Sequence, residues 1–165
     1  MNKNDFSFGL KELISSFNEE EILQEDNKWY CSECRGYQSS TKKMQIHKSP
    51  HYLIIHLKRF KINNQIPNNE SRTTNFNGEK NKAYIIFPTI NLDISEYVNE
   101  PNNQKEIYDL YGIIQHSGSI SSGHYKAICK NSDKWISYND DKIEEITSPV
   151  NEKAYILFYK RQNNR

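Results

Sequence analysis

Apolar residues recur with a helical period near the start of this chain. They stand three and four positions apart and so share one face of an amphipathic helix: Leu10, Leu13, Ile14 and Phe17. Asn18 followed by Glu21 fits the spacing of a cap and its carboxylate, which predicts a second short helix through Ile22 and Leu23. Both helices are expected to serve as scaffold.

Further along, apolar and polar residues alternate, as is typical of half-buried strands. Residues 52–60 give the clearest alternation, and residues 108–116 repeat it. Two more alternating stretches, 125–129 and 135–138, flank the polar turn 131–133 and predict a β-hairpin. The chain is therefore predicted to be rich in strands.

Two stretches break the periodic pattern. Residues 63–82 are dominated by Asn, Ser, Thr and Glu, which predicts a long mobile loop of the kind that is often functional. Residues 117–123 form a second, shorter loop of Ser and Gly, where small side chains allow a ligand to approach the backbone closely. The sequence shows no internal repeat and no linker, so residues 1–165 are predicted to form part of one domain.

Composition narrows the class of protein. With 165 residues the chain can bury a sizeable core. A net charge of +1, with both signs dispersed, argues against a nucleic-acid partner. No apolar run approaches the roughly 18 residues of a membrane span, so no membrane partner is expected. Three cysteines do not make a secreted disulfide framework, which favours an intracellular protein, cytoplasmic or nuclear.

Candidate chemistry lies at one end of the predicted hairpin. His124 opens its first strand, and Asn139 and Asp140 follow its second strand. A hairpin brings such positions together, and an imidazole held by a fixed acceptor on one nitrogen can take a proton on the other. An ordinary surface histidine is the alternative interpretation.

A metal site is also indicated. Cys31 and Cys34, followed by His47 and His51, match the spacing of a zinc finger. Pro50 directly precedes His51, however, and would interrupt the helix that such a finger needs. A zinc-finger adaptor is therefore the less favoured hypothesis.

Four stretches in order resemble the catalytic domain of ubiquitin-specific proteases, the papain-like deubiquitinases: residues 51–60, 123–125, 138–141 and 154–161. The resemblance runs from about Phe8 to Arg161. It implies an α+β, papain-like cysteine peptidase with fingers and an antiparallel palm sheet. By this resemblance, residues 1–165 are the C-terminal portion of one catalytic domain, without the thumb that carries the nucleophile.

The resemblance also implies roles and partners. His124 would be the general base and then acid, Asn139 its orienter, and Asp140 a neighbouring acceptor that shares the role. Ubiquitin, free or on conjugated proteins, would be the partner, its tail lying against His116, Gly123, Tyr125 and Tyr155. Cys31 and Cys34 would be half of a four-cysteine zinc ribbon, so the cofactor would be a structural zinc at an incomplete site.

The nucleophile of the family has no match in this sequence, because no Cys follows a Gly-Asn-Thr type box. Cys129 lies five positions after His124, and an odd offset on one strand points the two side chains to opposite faces. Cys31 and Cys34 are predicted at a distant finger tip. The chain alone is therefore expected to be inactive and to need an N-terminal segment bearing the nucleophile. A non-catalytic ubiquitin-binding pseudoenzyme is the alternative.

Overall fold

The computed structural model describes residues 7–61, 79–99 and 105–163. Their regular structure is one helix, two short 3-10 turns (Glu25–Asn27 and Ser95–Tyr97) and a series of strands. In chain order the elements are β1 Ser7–Gly9, α1 Leu10–Asn18, β2 Glu20–Leu23, β3 Trp29–Cys31, β4 Gly36–Gln38, β5 Ser40–Lys43, β6 Tyr52–His56, β7 Phe60–Lys61, β8 Glu79–Lys80, β9 Tyr84–Ile86, β10 Leu92–Asp93, β11 Ile107–Gly118, β12 Gly123–Asn131, β13 Lys134–Asn139, β14 Lys142–Ile146 and β15 Ala154–Arg161.

One antiparallel sheet carries most of the core. Its strand order is β14-β13-β12-β11-β15-β6, and β10 pairs with the start of β11. The side chains buried around it come from the central strands, from α1 and from the segment around β9 and β10: Leu10, Leu57, Ile85, Phe87, Leu92, Ile94, Tyr108, Leu110, Ile113, Ile128, Ala154, Leu157 and Tyr159. This α+β arrangement with an antiparallel central sheet is the predicted one.

The amphipathic helix forms as α1. Leu10 is buried, and Leu13 and Ile14 pack partly against the core. Phe17, on the same face, stays 55% exposed. The Glu12 carboxylate accepts the backbone N–H of Gly9 at 3.0 Å, which satisfies one of the free donors at the helix N-terminus. The face that the sequence assigned to packing is therefore only partly covered by the described residues.

The second predicted helix, at Asn18 to Leu23, is wrong. Glu20–Leu23 form β2, which pairs antiparallel with β5. Asn18 closes α1 instead, because its side-chain amide donates to the Ile14 carbonyl. The Glu21 carboxylate lies 3.6 Å from the Lys42 ammonium across the strand pair. The pairing of β2 with β5, which are distant in sequence, therefore decides the structure of this segment. The spacing of Asn18 and Glu21 is compatible with a helix cap, but it is also compatible with a strand.

Two bulges adjust the centre of the sheet. On β11 an extra residue, Tyr111, interrupts the pairing with β15, so Leu110 and Ile113 are both buried despite their odd separation. On β15 the extra residue is Tyr155, between the partners of Ile114 and Gln115. A bulge redirects a side chain out of the regular alternation. Tyr155 is thereby placed beside the start of β12, where the candidate site lies.

The predicted long loop, 63–82, lies mostly outside the described residues, which resume at position 79. Glu79 and Lys80 form β8, paired with β7 so that Lys80 is opposite Phe60. Among the described residues, no helix has the length and apolar character needed to cross a bilayer.

Candidate active site

The hairpin of β12 and β13 brings the candidate base and its orienter together. His124 is the second residue of β12, and Asn139 is the last of β13. The Nε2 atom of His124 lies 2.6 Å from Oδ1 of Asn139. An amide oxygen only accepts hydrogen bonds, so Nε2 carries the proton and Nδ1 keeps its lone pair. The geometry leaves one ring nitrogen fixed and the other free to act as a base.

A carboxylate stands beside this pair. Asp140 Oδ2 lies 3.7 Å from His124 Nε2, in the two-residue turn that joins β13 to β14. Asp140 has a φ of 51°, a left-handed conformation that Asp adopts more readily than most residues. Both side chains are substantially exposed, so any ion pair between them contributes little to stability. Asp140 instead places a second hydrogen-bond acceptor close to the Nε2 atom of His124.

The loop before His124 is a closed turn. Gly118 and Gly123 are paired, and the chain reverses over residues 119–122. The Ser119 N–H donates to the Ser122 carbonyl at 2.7 Å, and the Ser122 N–H donates to the Ser119 hydroxyl at 3.2 Å. Gly118 has a φ of 126°, a conformation that favours glycine. This turn is shorter than the predicted loop of 117–123, because β11 and β12 pair up to its edges.

His116 lies beneath the surface. The resemblance implies that it lines the channel of the ubiquitin tail, and the structure places it 3% exposed, with Gly123 and Tyr125 packed over its ring. The ring packs under Gly123: a methyl group at position 123 would overlap its Nε2 and Cε1 atoms and lie 2.8 Å from the Ser117 carbonyl. Gly123 is therefore the residue that lets β12 pass over the ring.

Tyr125 and Tyr155 flank the buried histidine. The His116 ring centroid lies 4.7 Å from that of Tyr125 and 5.4 Å from that of Tyr155. Tyr125 is 57% exposed, and the two tyrosine rings lie 6.4 Å apart. Phe60 packs against both His116 and Tyr155. Together these rings form an aromatic platform next to His124, on which an extended peptide could lie.

Lys80 joins this cluster, although no sequence pattern indicated it. Its Nζ lies 2.9 Å from His116 Nδ1, donates to the His116 carbonyl, and stands 5.7 Å from the centre of the Phe60 ring. Burial, and then the charge of Lys80, lower the pKa of the His116 ring. The contact escaped prediction because Lys80 belongs to a polar stretch and its partner is 36 residues away.

No cysteine of the sequence is positioned to serve His124. From Gly112 opposite Cys129 to Ser117 opposite His124, β12 pairs with β11 without a bulge, so the alternation of faces is unbroken. Cys129 thus points to the opposite face, about 16 Å along the strand from His124. Cys31 and Cys34 lie at the β3–β4 hairpin, which belongs to a different sheet.

Cys31 and Cys34 lie close together in the β3–β4 hairpin. The Cys34 N–H points to the Cys31 sulfur at 3.5 Å, and this and neighbouring backbone contacts lower the pKa of the Cys31 thiol. Within the described ranges, no three His, Cys, Asp or Glu side chains gather where a metal ion could bind. His47 lies in a bend, so the helix that the zinc-finger hypothesis requires is not formed at that position. A structural zinc ion takes four ligands, and Cys31 and Cys34 offer two thiols of the kind that bind it.

Comparison with known proteins agrees with this geometry. The family model described as ubiquitin carboxyl-terminal hydrolase matches residues 9–159. The chain belongs to the ubiquitin carboxyl-terminal hydrolase family. It is 32% identical over 159 residues to ubiquitin carboxyl-terminal hydrolase 10 of Arabidopsis thaliana, covering 94% of this chain and 16% of that protein. It is 33% identical over 158 residues to ubiquitin carboxyl-terminal hydrolase 15 of Homo sapiens, covering 93% of this chain and 15% of that protein.

Solved structures of the family share the fold. A chain of the yeast SAGA DUB module superposes with a TM-score of 0.74 at 32% identity, over 98% of this chain and 36% of that one. The SAGA module bound to ubiquitin aldehyde gives a TM-score of 0.71 at 31% identity, with the same two shares. The fold is therefore that of a ubiquitin carboxyl-terminal hydrolase catalytic domain. This chain spans about one sixth of the length of these two curated relatives.

Proposed function

We propose that this chain supplies the histidine half of a thiol-dependent ubiquitin hydrolase. The observation that carries the proposal is the 2.6 Å contact between His124 Nε2 and Asn139 Oδ1. It leaves Nδ1 as a base on an exposed strand end, next to the aromatic platform. Membership of the ubiquitin carboxyl-terminal hydrolase family supports the assignment of the bond after the C-terminal glycine of ubiquitin as the one that is cleaved.

The proposed chemistry assigns His124 two proton transfers. Nδ1 first takes the proton of a cysteine thiol, and the resulting thiolate attacks the carbonyl carbon of the terminal glycine of ubiquitin. The imidazolium then gives that proton to the departing amine as the carbon–nitrogen bond breaks. In the second half, Nδ1 takes a proton from water, the hydroxide attacks the thioester, and the proton returns to the thiol. Asn139 holds the ring in one tautomer throughout.

Ubiquitin is the proposed partner, as free product or as conjugate. The structure of the SAGA module bound to ubiquitin aldehyde supports a relation between this fold and ubiquitin. Tyr125 offers exposed aromatic surface to the tail, with the half-buried Tyr155 beside it, and Gly123 has no side chain to obstruct an extended peptide. His116 would act from beneath these residues rather than by direct contact. A protein of this kind would work inside the cell, in cytoplasm or nucleus.

The nucleophile is proposed to come from a further segment of the same catalytic domain. Two observations support this: the polar side-chain contacts of His124 in the described residues are with Asn139 and Asp140 and not with a thiol, and the solved relative that matches 98% of this chain is almost three times as long. A groove of about 550 Å³ runs between α1 and β6 and offers a surface for that segment. Its apolar lining includes Phe8, Leu13, Ile14, Phe17 and Ile54, and Ile54 is 61% exposed.

The location of the nucleophile is testable with ubiquitin that carries a C-terminal electrophile. The chain alone is expected to give no adduct at any of its three cysteines. When it is co-expressed with a nucleophile-bearing N-terminal segment of a family member, hereafter the assembled enzyme, only that segment should be labelled. A covalent adduct mapped to Cys31, Cys34 or Cys129 would contradict the proposal. Binding of ubiquitin without labelling or turnover in the assembled enzyme would favour the pseudoenzyme.

A further inference from the structure

We propose that His116, held in one tautomer by Lys80, is a positioning residue that sets the strand end on which His124 stands. The inference rests on the proposed function, since it concerns the placement of the proposed base. Neither residue would contact the reacting atoms. Their effect would pass through the backbone of Gly123 and the ring of Tyr125.

The His116 ring lies between the backbone of β12 and the interior of the protein. It is buried directly below Gly123, with no room for a methyl group between ring and strand. On the far side of His124, the same ring packs against Tyr125 at 4.7 Å. One buried imidazole therefore contacts both sequence neighbours of His124. A rotation of this ring would displace the backbone on either side of the proposed base.

The His124 side chain is not held in place by burial. Its side chain is about half exposed, and its polar contacts are with Asn139 and Asp140 at the end of the next strand. Core packing does not fix such a ring, so its direction depends on the backbone that carries it. A hydrogen bond of 2.6 Å to Asn139 tolerates little movement of that backbone.

Lys80 contacts the Nδ1 atom of the His116 ring. An ammonium group has only donors, so the ring nitrogen that faces it, Nδ1 of His116, must accept and the proton must reside on Nε2. A second bond from Lys80 to the His116 carbonyl fixes both the side chain and the main chain of the same residue. Lys80 itself is held by β8, opposite Phe60 on β7. The lysine thus selects one tautomer and one orientation of the ring.

The charges around Lys80 show that this arrangement is not a simple ion pair. Burial first, then the charges of Arg59, Lys82 and Lys153, lower the pKa of Lys80. No carboxylate within salt-bridge distance of Lys80 is found among the described residues. A partly buried cation without an anionic partner opposes folding unless its hydrogen bonds compensate. The contacts with His116 supply that compensation, which ties the lysine to this one position.

The test uses Lys80→Met, Lys80→Arg and, as a matched control, Lys82→Met, which removes a nearby charge without touching His116. Nitrogen NMR of the full chain with labelled histidines should show His116 with its proton on Nε2. Lys80→Met should give a mixture of tautomers and should shift the signals of His124. Lys80→Arg, which also only donates, should preserve the tautomer, and Lys82→Met should resemble the parent chain.

Kinetics of the assembled enzyme supply the second readout. Lys80→Met should lower kcat about tenfold with KM within a factor of two, because a misplaced base slows chemistry rather than binding. Lys80→Arg should recover part of the loss. A His116 ring protonated on Nδ1 in the parent chain, or a Lys80→Met variant with unchanged tautomer and kcat, would overturn the inference. The NMR result needs no catalysis, so it decides the positioning role even if the assembled enzyme fails to cleave ubiquitin.

Discussion

His124 and Asn139 are fifteen residues apart in sequence, yet Nε2 of the first lies 2.6 Å from Oδ1 of the second. The β12–β13 hairpin produces this contact, with Ala127 opposite Tyr138 and the chain reversing after Asn131. A neutral amide can fix the tautomer of an imidazole but cannot neutralise its positive charge. The carboxylate of Asp140, 3.7 Å from the same nitrogen, can do so.

Because Asn139 fixes the tautomer of His124 and Asp140 can neutralise its charge, replacing each should lower kcat by a different amount. In the assembled enzyme, Asn139→Ala should lower kcat about tenfold, because Asp140 can take over the bond to Nε2. Asp140→Ala alone should have a smaller effect. The double variant should approach the loss seen without His124, since residues that act as a unit are not additive. Asp141→Ala, one position further along the turn, is the control. Simple multiplication of the two single effects would contradict the shared role.

The sequence alone was sufficient for the hairpin and for α1, because both follow from local periodicity and turn residues. It was misleading at Ile22 and Leu23, where the capping pattern of Asn18 and Glu21 is local but the pairing of β2 with β5 is not. The burial of His116 could not be taken from the resemblance that singled it out, because a shared motif does not distinguish a side chain at the surface from one packed beneath Gly123. The contact with Lys80 could not be found, because no rule of spacing links a lysine in a polar stretch to a buried ring.

Arg59 is predicted to be a major source of stability. Its buried guanidinium donates to the carbonyls of Ala154, Asn81 and Ala83 at 2.7, 3.1 and 2.8 Å, which links Arg59 to the start of β15 and to residues 81–83. Arg59→Met would leave these acceptors without a donor, so the free energy of unfolding should fall by about 3 kcal/mol in urea titration. Lys58→Met, at the exposed neighbouring position, should change it by less than about 0.5 kcal/mol. Equal effects of the two changes would refute this role.

Stability should also depend on pH through His116. Burial and the charge of Lys80 lower the pKa of this ring below its ordinary value of 6.5. Below pH 6.5 the His116 ring therefore binds a proton more readily in the unfolded chain than in the folded chain. The stabilising contribution of the neutral His116 ring to the free energy of unfolding is complete above pH 6.5, and it is lost as the pH falls through the folded-state pKa of the ring. His116→Gln should reduce the fall in unfolding free energy from pH 7 to 5, which one such group limits to about 1.4 kcal/mol per pH unit.

A matched variant separates this effect from the general titration of the chain. His47 is exposed, so His47→Gln should leave the pH dependence of the unfolding free energy unchanged. Urea midpoints at three pH values between 7 and 5 are enough for the comparison. If His116→Gln kept the full pH dependence of the parent chain, the buried ring would not be its source.

Zinc binding should be partial and should depend on the hairpin cysteines. With two of four ligands, the purified chain is predicted to hold less than one zinc per molecule, and Cys31→Ser should remove most of it. His47→Ala should make no difference, since His47 lies outside the β3–β4 hairpin. Mass spectrometry of the metal content gives the number of zinc ions per molecule in the parent chain and in each variant. Stoichiometric zinc that disappears with His47→Ala would support the zinc-finger hypothesis instead.

The most direct test of the account is the turnover of the assembled enzyme with and without the His124 imidazole. Release of a fluorogenic group from the C-terminus of ubiquitin should be abolished by His124→Ala and unaffected by His47→Ala. Equal yields of the assembled complex, measured by size-exclusion chromatography, exclude a loss of assembly. The account predicts an intact complex with no measurable kcat for His124→Ala. An intact complex that still cleaves ubiquitin at the parent rate would contradict the assignment of His124 as the base.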